Sequence, residues 1–259
     1  MKRFCFSIAL ACLVAGTLWA SDNFFCGKWK LDMTKSQFTG ELIKIEALGG
    51  EKYKWTVGNV SDTITYDGTE QKPDRFGRTT SMAPDGPNNW KMVIKKDGRV
   101  IDTMTHTISE DGKTQTVTGT DIKPDGTTSD FNDTWKKVSG GSGWEGTWEV
   151  TDVKFTSPDE WEIAPYEGDG LTFYMPAYQR TLSMKFDGKE YEEKGPNVAP
   201  GSTSSGKRVN AQTLDITRKV KGEVMSHTKY EVSQDGKTLT LTIQRTGQQK
   251  AQTIVYDKI

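Results

Sequence analysis

The chain is short of the residues that most often carry chemistry. Among 259 residues there are two histidines, His106 and His227, and three cysteines, Cys5, Cys12 and Cys26. No closely spaced His or Cys cluster and no EF-hand loop is present, so no metal site is expected. No nucleophile, base and orienting group can be read out together, so no catalytic residue and no cofactor is assigned. Gly112-Lys113-Thr114 and Gly236-Lys237-Thr238 end like a phosphate loop. The glycine such a loop needs upstream is replaced by Thr107 and Glu231, which argues against nucleotide binding. Lys and Arg number 34 against 35 Asp and Glu, and this balance argues against a nucleic-acid partner.

Long apolar runs are also missing beyond the N-terminus. Lys2 and Arg3 precede an apolar stretch from Phe4 to Ala15, and Leu18-Trp19-Ala20 offers a small residue before a cut. Residues 1–20 therefore read as a secretory signal peptide, and no other segment approaches the ~20 apolar residues of a membrane span. A lipoprotein cut before Cys12 is disfavoured because the apolar run would be unusually short. The mature chain is expected in the periplasm or outside the cell, with no integral membrane segment. Cys26 then stands alone and cannot form an internal disulfide.

What the chain has is a repeat. Gly27-Lys28-Trp29-Lys30-Leu31 is echoed by Gly146-Thr147-Trp148-Glu149-Val150, an offset of 119. Ser109-Glu110-Asp111-Gly112-Lys113-Thr114 returns as Ser233-Gln234-Asp235-Gly236-Lys237-Thr238, an offset of 124. Two matches in one order define two copies of one fold, residues 21–138 and 144–259. The Gly/Ser-rich segment 139–143 reads as a short linker between them.

Almost nothing in the mature chain has helical periodicity. Apolar residues alternate instead, as in Trp29 and Leu31, in Tyr53, Trp55 and Val57, and in Leu239, Leu241 and Ile243. Asp-Gly recurs at 67–68, 85–86, 97–98, 111–112, 125–126, 169–170, 187–188 and 235–236, and between alternating segments it signals tight hairpins. The reading is an all-β antiparallel meander. Two tandem up-and-down barrels of about eight to ten strands each would remove the exposed edges. An open sandwich is the alternative.

Gly-x-Trp on the first strand of a meander barrel resembles the opening motif of lipocalins and their calycin relatives. The resemblance implies that Trp29 and Trp148 pack across the closed ends of their barrels as plugs. The mature chain is also similar to exported bacterial proteins with lipocalin-like repeats. Those open on Gly-Thr-Trp-Lys-Leu followed by Lys-Ser, and here Lys35-Ser36 follows Leu31. One departure is clear. Lipocalins often set a late-strand arginine against the motif tryptophan, whereas the closing strands here offer Lys137 and Lys258.

Candidate binding residues follow from strand parity. Met104 and His106 share a face with Val100 and Ile108, so they should point inward, and the repeat pairs His106 with Tyr230. His227 has the opposite parity. Trp55 lies on an inward face. In the second copy Trp161, Tyr166, Phe173, Tyr174 and Tyr178 form an aromatic-rich stretch that fills a core or lines a mouth. Lys207-Arg208 follows a Gly/Ser-rich loop at 201–206, and an inward Arg208 would suit a ligand carboxylate. Glu190, Glu192 and Glu193 read as a solvated charged face. The ligand-binding candidates are thus Trp55, Met104, His106, Phe173, Arg208 and Tyr230. The expected function is non-catalytic binding of a small apolar or amphipathic ligand. A structural or protein-interaction module of the cell envelope is the second reading, and an enzyme built around His106 or Tyr230 the third.

Overall fold

The computed structural model describes residues 23–259 apart from Ser142; the expected signal peptide and Cys12 lie outside the described residues. Among the described residues there is no helix. The strands of the first half are β1 (Gly27–Leu31), β2 (Leu42–Gly49), β3 (Lys52–Val57), β4 (Val60–Thr65), β5 (Arg78–Pro84), β6 (Asn89–Lys96), β7 (Arg99–Ile108), β8 (Thr114–Ile122) and β9 (Thr128–Ser139). Those of the second half are β10 (Gly146–Phe155), β11 (Glu160–Tyr166), β12 (Gly170–Met175), β13 (Arg180–Met184), β14 (Tyr191–Glu192), β15 (Ser202–Asn210), β16 (Thr213–Val220), β17 (Glu223–Val232), β18 (Thr238–Arg245) and β19 (Gln252–Lys258).

These strands form two nearly closed antiparallel barrels, one of ten strands and one of nine. The sheets do not follow the repeat boundary. β1 lies between β11 and β19, inside the barrel built by the second copy. β10 lies between β2 and β9, inside the barrel built by the first. Each copy gives its opening strand to the other. Ser139, expected to begin a linker between two domains, instead ends β9 and lies opposite Thr147 of the adjacent strand β10. The chain passes between barrels at 32–41 and 156–159.

Alternation decides which side chains enter the two cores. Trp29 and Leu31 join Ile163, Leu171, Phe173, Leu214, Leu239 and Tyr256 in the ten-stranded barrel. Trp148 and Val150 join Ile43, Ile45, Met82, Val117 and Trp135 in the nine-stranded one. Both motif tryptophans are fully buried and held alike. Trp29 Nε1 donates to the Phe25 carbonyl at 2.8 Å, and Trp148 Nε1 to the Trp144 carbonyl at 2.9 Å. A lysine ammonium lies over each indole, Lys258 at 4.9 Å from Trp29 and Lys137 at 4.6 Å from Trp148. A cation over an indole face contributes about 0.5–1 kcal/mol where it remains hydrated.

The seams close differently. Thr181 and Lys194 exchange backbone hydrogen bonds of 2.8 and 2.9 Å across the ten-stranded seam. Between β4 and β5 the strap 66–77 fills the gap, with Gln71 N donating to Thr80 O and Asp74 N to Arg78 O, both at 2.8 Å.

The barrels meet at the ends opposite their tryptophans. Gly58, at the β3–β4 turn, adopts a positive φ of 60°, and a Cβ there would strike the Thr246 carbonyl oxygen of the other barrel. Around the rim, Arg75 pairs with Glu223 at 2.6 Å and Arg99 donates to Asn197 at 2.8 Å. Asp125 N donates to Ala177 O at 3.3 Å, and Tyr178 Oη to Asp121 at 2.7 Å. Gln248 takes both the N–H and the carbonyl of Leu42, at 2.8 and 2.9 Å. The two open mouths therefore face each other.

Strand exchange has a direct test. Trp29→Ala should cost about 3–5 kcal/mol, as truncation of a buried aromatic does. Hydrogen exchange should show the lost protection in 160–166 and 252–258, while 42–57 and 128–139 stay protected. Loss confined to the first copy's own strands would exclude the exchange.

Candidate functional site

Of the two barrel interiors, the nine-stranded one holds the larger space. A cavity of about 300 Å³ opens at the β4–β5 seam. Its apolar wall is Trp55, Ile64, Met92, Ile94, Met104 and Trp135, and its polar edge includes Asp62, Asp74 and Arg78. Strand parity places these side chains. Met92 of β6 and Met104 of β7 are directly opposed, as are Trp90 and His106.

His106 sits deepest, with 1 % of its surface exposed. Its ring is 5.7 Å from those of Trp55 and Trp135 and 5.6 Å from that of Trp144. Gln115 Nε2 lies 3.0 Å from His106 Nδ1. With the amide donating there, Nδ1 accepts and the proton resides on Nε2. That Nε2 has no partner among the described residues, and neither has Trp135 Nε1. Both rings line the cavity. Both nitrogens are fully buried, so each is an unpartnered polar atom within the core and not a contact exposed to the cavity. Trp55, by contrast, already donates Nε1 to Tyr66 Oη at 2.7 Å.

Burial in this aromatic shell drives the His106 pKa down to about 3. The imidazole stays neutral at physiological pH, which suits hydrogen bonding better than general-base work. Asp102, four residues back on the same face, is pushed the other way. Desolvation, then the neighbouring Asp121 carboxylate, raise it to about 7. Asp133 is raised to about 6 by desolvation and by Asp152.

The ten-stranded barrel is much fuller. Trp161, Phe173 and Tyr230 pack ring against ring at 5.8–6.3 Å. They leave a cavity of about 70 Å³. Glu193, expected on a solvated face, is buried instead. It accepts from Arg180 at 2.8 Å, Arg218 at 3.1 Å and Ser204 at 3.0 Å. The reason is local. β14 is only two residues long, and Glu193 follows it with its backbone N–H on the Ser202 carbonyl. Residues 201–206, expected as a loop, are mostly strand, and Ser202, Ser204 and Gly206 face inward.

The structure thus brings Trp55, Met104 and His106 to one cavity and Phe173 and Tyr230 to another. Arg208 reaches neither. It lies at the tryptophan-bearing end, 4.8 Å over Phe186 and 5.9 Å from Phe25, donating to the Asp169 carbonyl at 2.9 Å. His227 is exposed, with Nδ1 2.9 Å from the Thr217 hydroxyl. The aromatic stretch divides: Trp161 and Phe173 fill the core, while Tyr178 reaches across to Asp121. Desolvation raises the pKa of the free Cys26 thiol, which makes it a weak nucleophile. Among the described residues no group of three or more His, Cys, Asp or Glu side chains is placed to hold a metal ion.

Sequence reasoning missed Arg78, Asp62, Trp135, Glu193 and Arg218. The inward parity of Trp135 with Phe131 was a usable signal; the buried charges had none. Comparison with family models, with curated proteins and with solved structures finds no match to this chain.

Asp102 makes stability pH-dependent. Its pKa is raised on folding, so its contribution is full below the unfolded value near 4 and is lost as pH rises through about 7. Asp102→Asn should leave the melting midpoint unchanged at pH 4 and raise it by a few degrees at pH 8, since 1 kcal/mol moves a chain of this size by roughly 2–4 °C. Equal shifts at both pH values would show that Asp102 is not the group responsible.

Proposed function

We propose that this chain is an exported, non-catalytic, lipocalin-like binding protein whose nine-stranded barrel takes a small amphipathic ligand. The observation that carries the reading is a cavity of about 300 Å³ with Trp55, Ile64, Met92, Ile94, Met104 and Trp135 along its wall and Asp62, Asp74 and Arg78 at its edge. Such a wall suits a compact apolar body with a polar end. The body would lie against Trp55, Met92, Ile94 and Met104. The lipocalin-like assignment is supported by the two Gly-x-Trp strands, each with a lysine over its tryptophan at the place where lipocalins often use arginine. A catalytic role for His106 is disfavoured by its low pKa, and one for Tyr230 by burial that raises its phenol to about 12. Export rests on the pattern of residues 1–20.

Native mass spectrometry of protein purified from its own host should reveal a retained small molecule. Met104→Trp fills the cavity from its wall, and the variant should lose that molecule while melting within a few degrees of the parent. Equal retention by both proteins would refute lumen binding. Intact mass of the mature protein should place its N-terminus at Ser21, and a start at Met1 would refute export by cleavage.

A further inference from the structure

The junction of the barrels encloses a second compartment. A cavity of about 360 Å³ lies between the facing mouths. Trp55, Val57, Val60 and Phe76 line it from the nine-stranded barrel, and Met225 and Gln248 from the ten-stranded one. Trp55, Asp62 and Arg78 also line the nine-stranded lumen, and Arg218 also lines the small cavity of the ten-stranded barrel. This chamber therefore adjoins both interiors, and neither barrel forms it alone.

Its charged lining is lopsided. Three arginines, Arg78, Arg218 and Arg245, face one carboxylate, Asp62. Arg78 and Arg218 are anchored from behind by carboxylates that do not line the chamber, and Arg245 has a third nearby without a hydrogen bond to it. Asp74 holds Arg78 at 2.8 Å, Glu193 holds Arg218 at 3.1 Å, and Glu41 lies 3.2 Å from Arg245. The anchoring uses only part of each donor fork. Arg78 spends Nε and Nη2 on Asp74, and Arg218 spends Nε on Glu193, with Nη2 3.4 Å from the Ser202 hydroxyl. A guanidinium carries five N–H donors in a fixed plane, so an anchored one presents the remainder without further loss of rotamer freedom. Desolvation and the nearby Asp74 raise the Asp62 pKa, against the pull of Arg78 and Arg75.

We propose that this chamber is a binding site of its own for an amphipathic monoanion. Its acidic group lies among Arg78, Arg218 and Arg245, and its apolar body against Trp55, Phe76, Val57, Val60 and Met225. The site is distinct from the lumen site proposed above, although the two share Trp55, Asp62 and Arg78.

A matched pair of dyes tests it on the whole chain. Anilinonaphthalenesulfonate and N-phenylnaphthylamine share one apolar body and differ by the sulfonate. The sulfonate dye should bind at one site about tenfold tighter or more, the margin expected of charge-assisted pairing in a part-buried site. It should keep that affinity in Met104→Trp, where the lumen is filled. Arg245→Gln, at a half-exposed side chain, and Arg218→Gln should each weaken the sulfonate dye severalfold while leaving the neutral dye within about twofold. Arg218→Gln releases half the anchoring of Glu193 and can unfold the barrel; Arg245→Gln then decides alone. Equal affinity for the two dyes, or sulfonate binding that survives Arg245→Gln, overturns the anion site and leaves the lumen reading intact. Loss of the sulfonate dye in Met104→Trp overturns the separate chamber, whereas failure of the lumen reading shows only in the retained molecule.

Discussion

Neither barrel closes without a strand from the other copy. β1 has both of its edges hydrogen-bonded, to β11 on one side and β19 on the other, and β10 is bonded likewise to β2 and β9. Removing either would expose two rows of unpaired backbone groups, the condition that sheets avoid most consistently. The exchange fixes everything built on it. The chain must cross between barrels at 32–41 and again at 156–159, and these short crossings hold the two mouths together. Each motif tryptophan then fills the core of the barrel that the other copy supplies.

The contacts around the mouths have the form of a two-fold interface. Gln37 bridges Thr253, and at the other crossing Ser157 lies against Ser129. Arg75 meets Glu223, and the corresponding pair is Asn197 with Arg99. Gly58 approaches Thr246, and Ala177 meets Asp125. These pairs resemble those of a strand-exchanged dimer, here within one chain. Such an arrangement explains why backbone contact at the rim is close while the charges inside it differ.

Much of this fold was legible because it rests on local chemistry. Alternation at Trp29 and Leu31, or at Leu239 and Leu241, sets which face is buried wherever the strand goes, and Asp-Gly sets where it turns. Partner choice is not local. The two copies share one pattern, so β1 suits either barrel, and a Gly/Ser segment reads the same as a linker or as a hairpin turn. The site was half legible for the same reason. Parity put Met104 and His106 inside. Glu193 and Ser204, however, have the side chains of a surface, and only Arg180 and Arg218, distant in sequence, make their burial tolerable.

The two interiors have parted while the scaffold has not. Where one barrel carries His106, the other carries Tyr230. The ten-stranded core spends its space on Trp161, Phe173, Tyr230 and an Arg–Glu–Arg cluster, leaving room on the scale of a few waters. Such a cluster contributes little net stability against an apolar packing of equal volume, because desolving three charges offsets their attraction. It does hold Arg218 at the boundary between the small cavity and the junction chamber. In a symmetric dimer the two lumens would be identical by necessity, and any change in one would appear in both. Within one chain that constraint is gone. One barrel can fill and present an anchored cation at its mouth while the other stays open, with the shared rim unchanged.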